Sequence, residues 1–89
     1  MALAITFTTN LTLAQYDEIW RQLREQKADH PQGRLSHVGF EQQGVMRVID
    51  VWDSMENFQA FGETLLPLIA KVGGEATPEI VEAHHFQTT

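Results

Sequence analysis

The chain has no cysteine, which excludes disulfides, thiolate nucleophiles and Cys-rich metal sites. Basic residues are few: 6 Lys and Arg against 12 Asp and Glu, a formal charge of -6. Such a surface repels phosphate backbones, so nucleic acid is not an expected partner. Long apolar runs are also missing, the longest being of the order of Leu65 to Ala70, far short of the roughly 18 residues of a membrane span. No membrane partner is expected. The start, Met1-Ala2-Leu3-Ala4-Ile5, carries no basic residue and is soon interrupted by Thr6, Thr8 and Thr9. It does not read as a signal peptide, and a cytoplasmic location is the expectation. There is no Gly-rich phosphate loop and no Ser-His-Asp order, which argues against nucleotide and hydrolase chemistry.

The 89 residues, 43% of them hydrophobic, suit one folded domain over 1–89. A chain of this length buries only about 60% of its unfolded surface alone, and a second copy would add to that. Leu3, Ile5 and Phe7 alternate with Ala4, Thr6 and Thr8, the period of a strand. Thr12 and Gln15 form a capping box ahead of Leu13, Tyr16, Ile19, Trp20 and Leu23 at helical spacing, and Asp17 with Arg21 and Arg21 with Glu25 are expected surface pairs. Breakers in Asp29-His30-Pro31-Gln32-Gly33 end that helix. Strands are predicted over Arg34 to Phe40 and Val45 to Trp52, joined through Glu41-Gln42-Gln43-Gly44. A second capping box in Asp53-Ser54-Met55-Glu56 opens a helix with Phe58, Phe61, Leu65 and Leu68 on one face. Pro67 is expected to kink or split it near Leu65 or Leu66, with a further turn to Val72 before Gly73-Gly74. Ile80 to Phe86, entered through Pro78, reads as a fourth strand.

The predicted fold is therefore α+β: a ferredoxin-like βαββαβ unit with a four-stranded antiparallel sheet. Strands two and three carry apolar residues at both parities, whereas two helices cover one sheet face. Self-association into a homodimer is the expected cover for the other.

If the hairpin turns tightly about Gln43-Gly44, Gln42 faces Val45 and His37 stands beside Asp50. Leu35, Gly39, Val48 and Trp52 share that parity. A His-Asp couple beside an indole is the sharpest candidate site: the carboxylate holds the imidazole tautomer, as a general base or substrate anchor requires. The same pair also serves as a mutually satisfied buried hydrogen bond with no chemistry, and both readings stay open. His37 and Asp50 are the candidate catalytic residues, with Tyr16, Trp52 and His84 as candidate pocket residues. His84 and His85 alternate in facing and cannot hold one metal together. A set of His37, His84 and Asp50 is chemically allowable for a metal, but no metal and no cofactor is the expectation.

Tyr16-Asp17, Pro31-x-Gly33-x-Leu35-x-His37-Val38, Arg47-Val48-Ile49-Asp50-Val51-Trp52-Asp53-Ser54 and Phe58-x-x-Phe61 followed by Leu65 together resemble the small stand-alone proteins of the dimeric α/β-barrel superfamily. That group contains the antibiotic-biosynthesis monooxygenases. The resemblance implies a homodimer with the two sheets meeting as a barrel, and a pocket between each sheet and its own helices. It also implies an enzyme of the cofactor-independent oxygenase kind, or a binder of a small aromatic or apolar ligand, or a non-catalytic dimeric module. Haem-degrading relatives use an Asn on strand one, a Trp ending strand three and a His on the second helix. Trp52 matches, Asn10 is a candidate, and no His lies between Asp53 and Val81, so the resemblance does not extend to haem degradation.

Overall fold

The computed structural model, which describes residues 2–88, places the elements in the order β1 (Leu3–Thr9), α1 (Leu13–Glu25), β2 (Arg34–Gln42), β3 (Val45–Trp52), α2 (Met55–Lys71) and β4 (Ala76–Glu82). The strands form one sheet in the order β2-β3-β1-β4, every neighbouring pair antiparallel. This is the ferredoxin-like α+β arrangement, with α1 and α2 packed on one face. Ile5, Phe7, Met46, Val48 and Trp52 from the sheet meet Ile19, Leu23, Phe61, Leu68 and Ile69 from the helices in the core.

Local chemistry explains the boundaries. Thr12 caps α1 by accepting from the Gln15 amide while the Gln15 side chain returns to the Thr12 amide, so two free donors of the first turn are satisfied. The helix ends before the Asp29–Gly33 breakers. Lys27 takes a left-handed φ of 58°, and the Ala28 and Lys27 amides close back on the Leu23 and Arg24 carbonyls, a Schellman end. On its surface Arg21 pairs with Glu18 and Glu25, Glu18 taking the place expected for Asp17. The Arg21 guanidinium holds the Glu18 carboxyl down at about 2. Leu13, expected on the apolar face, is exposed, and Gln22 is buried instead.

The hairpin is as tight as its length allows. Gln43 and Gly44 both take positive φ, 55° and 84°, the pair of left-handed residues that a two-residue turn matching strand twist requires. Gln42 therefore faces Val45 and His37 faces Asp50. One irregularity follows: the register shifts between Arg34 and Ser36, so Arg34 stands opposite Trp52. Leu35, expected on the His37 face, is turned out and exposed, because a bulge inserts a residue and reverses facing beyond it.

Helix α2 departs from expectation at its cap and at Pro67, and ends as expected at Val72 before Gly73. Its cap is Ser54, accepting from the Asn57 amide, and Asn57 bonds back to the Asp53 carboxylate; the expected Asp53 to Glu56 box does not form. Pro67 lies inside one continuous helix to Lys71 and does not split it. Pro67 and Glu63 share the exposed face, so the carbonyl that Pro67 leaves without a donor is on the water side. Strand β4 begins earlier than expected and ends at Glu82. Its length is dictated by β1, against which it pairs from Thr9–Ala76 to Leu3–Glu82, and as an edge strand it tolerates Pro78.

The sheet face away from the helices is apolar and uncovered. Val38, Phe40, Ile49 and Val81 are exposed there, with Val38 opposite Ile49 and Val81 opposite Ala4. No helix among the described residues is long and apolar enough to cross a membrane.

Candidate functional site

Four side chains from three elements join in a line. The β2–β3 register brings His37 beside Asp50, and its Nδ1 lies 2.6 Å from Asp50 Oδ1. Trp52, two residues along β3 on the same face, donates its indole N–H to the other carboxylate oxygen at 3.2 Å. From α1, the Tyr16 hydroxyl reaches His37 Nε2 at 2.8 Å. Asp50 is 3% exposed, and each of its oxygens faces a hydrogen-bond donor, as a buried polar group requires.

The line has a direction. A proton on Nδ1 gives Asp50 its donor and leaves an Nε2 lone pair for the Tyr16 O–H to donate to, the tautomer that satisfies both contacts. Burial pushes the Tyr16 phenol above its ordinary range, and the Asp50 charge adds to that, while Trp20 acts in the opposite sense. Tyr16 therefore holds its proton. Gly39 makes the contact possible: a Cβ there would overlap the Tyr16 hydroxyl, so only glycine lets α1 bring Tyr16 down onto His37.

These groups border a cavity of about 60 Å³ between the sheet and the helices, walled mainly by apolar side chains such as Phe7, Ile19, Val48, Phe61 and Leu65. Tyr16, His37 and Asp50 line it, as do Trp20 and Arg34. Trp20 meets the His37 ring edge-on, centroids 5.2 Å apart. The Arg34 guanidinium lies over Trp20 and Phe61, 5.4 and 5.7 Å from the ring centres, and burial lowers its proton affinity against the pull of Asp50. At this volume the cavity holds a few small molecules of water size.

The candidate residues thus divide. His37, Asp50 and Tyr16 come together. Trp52 is fully buried between Phe58 and Phe61, at 5.6 Å from each, and is not part of the cavity wall; it positions Asp50. His84 lies past the end of β4 and is exposed, because the last ladder bond joins the Ala83 amide to the Ala2 carbonyl. Asn10 is exposed too, tied to the Glu75 amide at 2.7 Å, outside the cavity. No cluster of three metal-ligating side chains occurs among the described residues. Arg34 and the wall position of Trp20 are not evident from the strand and helix periods. The bulge at Leu35 is what turns Arg34 inward, and nothing in the residue pattern marks it.

No family model matches the chain. No curated protein matches it by sequence either. Solved structures do. It is similar to SnoaB, a cofactor-independent oxygenase from Streptomyces nogalater, with 15% identity, a TM-score of 0.62 and coverage of 96% of this chain and 93% of that one. A provisionally named antibiotic biosynthesis monooxygenase from Caulobacter crescentus is 18% identical, with a TM-score of 0.69 and coverage of 94% and 91%. A provisionally named monooxygenase from Shewanella loihica is 13% identical, with a TM-score of 0.63 and coverage of 96% of each chain. At these identities the likeness is one of fold alone, the ferredoxin-like α+β arrangement that the chain shares with these structures.

Proposed function

We propose that the chain is a homodimeric, cofactor-independent oxygenase acting on a small aromatic or otherwise apolar molecule taken into the cavity beside Tyr16. The carrying observation is the hydrogen-bonded line Trp52–Asp50–His37–Tyr16 ending at an apolar cavity wall. A substrate C–H proton passes to the Tyr16 oxygen as the Tyr16 proton moves to His37 Nε2, and Asp50 stabilises the resulting imidazolium. The substrate carbanion then reduces dioxygen. An activated CH₂ becomes C=O, one oxygen atom enters the product and the other leaves in water, so the substrate supplies all the electrons and no cofactor is needed. The fold shared with a cofactor-independent oxygenase supports this reading. Ligand pockets usually measure about 300 Å³ or more, so an aromatic substrate enters only as wall side chains such as Leu65 move aside.

The test is aerobic incubation with electron-rich hydroxyaromatics bearing an activated CH₂, following dioxygen uptake and ¹⁸O incorporation. Turnover without added cofactor is expected, falling by about 10²–10⁴ in a folded His37→Ala variant. No uptake, or equal uptake by that variant, rejects the reading. In that case the second reading holds, a non-catalytic dimeric module. It is favoured by the small cavity and by the absence of any unpartnered buried polar side-chain atom among the described residues.

The homodimer rests on the exposed apolar sheet face of Val38, Phe40, Ile49 and Val81, a surface of the kind that closed two-fold pairing covers. Sedimentation equilibrium should give twice the 10.1 kDa chain mass, and Ile49→Glu should return the monomer. A wild-type monomer at micromolar concentration contradicts it.

A further inference from the structure

Among the described residues Arg34 is the one Lys or Arg side chain in the cavity wall, where the imidazole of His37 is already engaged by Asp50 and Tyr16, in an acidic protein. The β2 bulge places it opposite Trp52 on the inner face. Its guanidinium lies over Trp20 and Phe61, within cation-π distance of both rings, contacts that use none of its N–H donors. Of those donors, one bonds the Asp29 carbonyl at 3.0 Å. Arg34 takes part in no ion pair among the described residues. Asp50, the carboxylate that shares the cavity wall, already has a donor on each oxygen, from His37 and from Trp52. A half-buried cation seated against two aromatic rings, with free N–H groups and no carboxylate partner, is the arrangement that recognises an anionic oxygen.

We propose that Arg34 makes the cavity selective for an aromatic ligand bearing an anionic oxygen, with the guanidinium bonding that oxygen and the ring lying among Trp20, Phe61 and the apolar wall. This rests on the reading of the cavity as a ligand site and adds the charge of the ligand to it. The oxygen is a carboxylate or a phenolate or enolate, which present the same acceptor to a guanidinium.

The test compares benzoate with benzamide, its uncharged isostere, by NMR titration of the full chain, following the Trp20 indole and Arg34 Nε–H signals, with phenolate and phenol forms of a nitrophenol as a second arm. Benzoate should bind roughly tenfold tighter or more than benzamide, and the preference should vanish in Arg34→Gln while benzamide binding is kept. Arg34→Lys should retain part of it, and carries the test if Arg34→Gln does not fold. A preference shown only by the carboxylate, or only by the phenolate, assigns the oxygen. Equal binding of charged and neutral probes to the wild type, or a preference that survives Arg34→Gln, overturns the role of Arg34 and leaves the cavity reading intact. Failure of every probe to move the Trp20 signal overturns both.

Discussion

Trp52→Ala should destabilise the fold by about 3–5 kcal/mol, the range for removing a buried large aromatic. The indole is fully buried and wedged between Phe58 and Phe61, so its loss leaves a void that α2 cannot close without leaving the sheet. Small domains have about 5–15 kcal/mol in total, and the variant should show a much lower urea midpoint or fail to fold. Trp52→Phe separates packing from polarity. It keeps most of the ring but takes the donor away from Asp50 Oδ2, at a cost of about 1–2 kcal/mol. Urea unfolding of both variants checks the pair; an equal loss in the two would mean that the hydrogen bond, not the volume, dominates.

Asp50→Ala should cost about 2–4 kcal/mol although it removes only a small side chain. The substitution leaves two donors, Trp52 Nε1–H and His37 Nδ1–H, without an acceptor, and the first has no route to water. Its consequence for the site is larger. Without the carboxylate the imidazole loses the contact that sets its tautomer, and a proton shift to Nε2 turns that nitrogen from acceptor to donor, leaving the Tyr16 oxygen to accept. Activity supported by the line should therefore fall with His37→Ala. Asp50→Ala measured at a urea concentration where it is still folded distinguishes this from unfolding, and wild-type-like turnover in that variant would show the line to be structural only.

Most of the frame was legible because it is written locally. The period of two in Leu3, Ile5 and Phe7, the Thr12–Gln15 capping box and the Gly73-Gly74 stop each act within a few residues. The His37–Asp50 contact was legible for the same reason, since a two-residue turn at Gln43-Gly44 sets every pairing up to the bulge. What was not legible depends on partners distant in sequence. The span of β4 follows β1, and this alone decides that His84 lies off the sheet. Facing at Leu35 and Arg34 is decided by where β2 breaks register against the end of β3. Which indole lines the cavity is decided by how α1 and α2 seat on the sheet: both Trp20 and Trp52 fit an apolar pattern, yet Trp52 sits under α2 while Trp20 reaches the His37 edge. Pro67 runs against the rule that a helix interior needs each amide, because here the gap faces water.

The central claim is that a buried carboxylate sets the His37 tautomer so that Tyr16 donates to it at the cavity wall. The most direct measurement is a long-range ¹H–¹⁵N correlation of the histidine rings at a pH where His37 is neutral, with Tyr16→Phe as the assignment control. The expected result is a proton resident on Nδ1, an unprotonated Nε2, and an Nε2 shift that changes in Tyr16→Phe. A proton on Nε2, or a ring averaging between the two forms, would contradict the account.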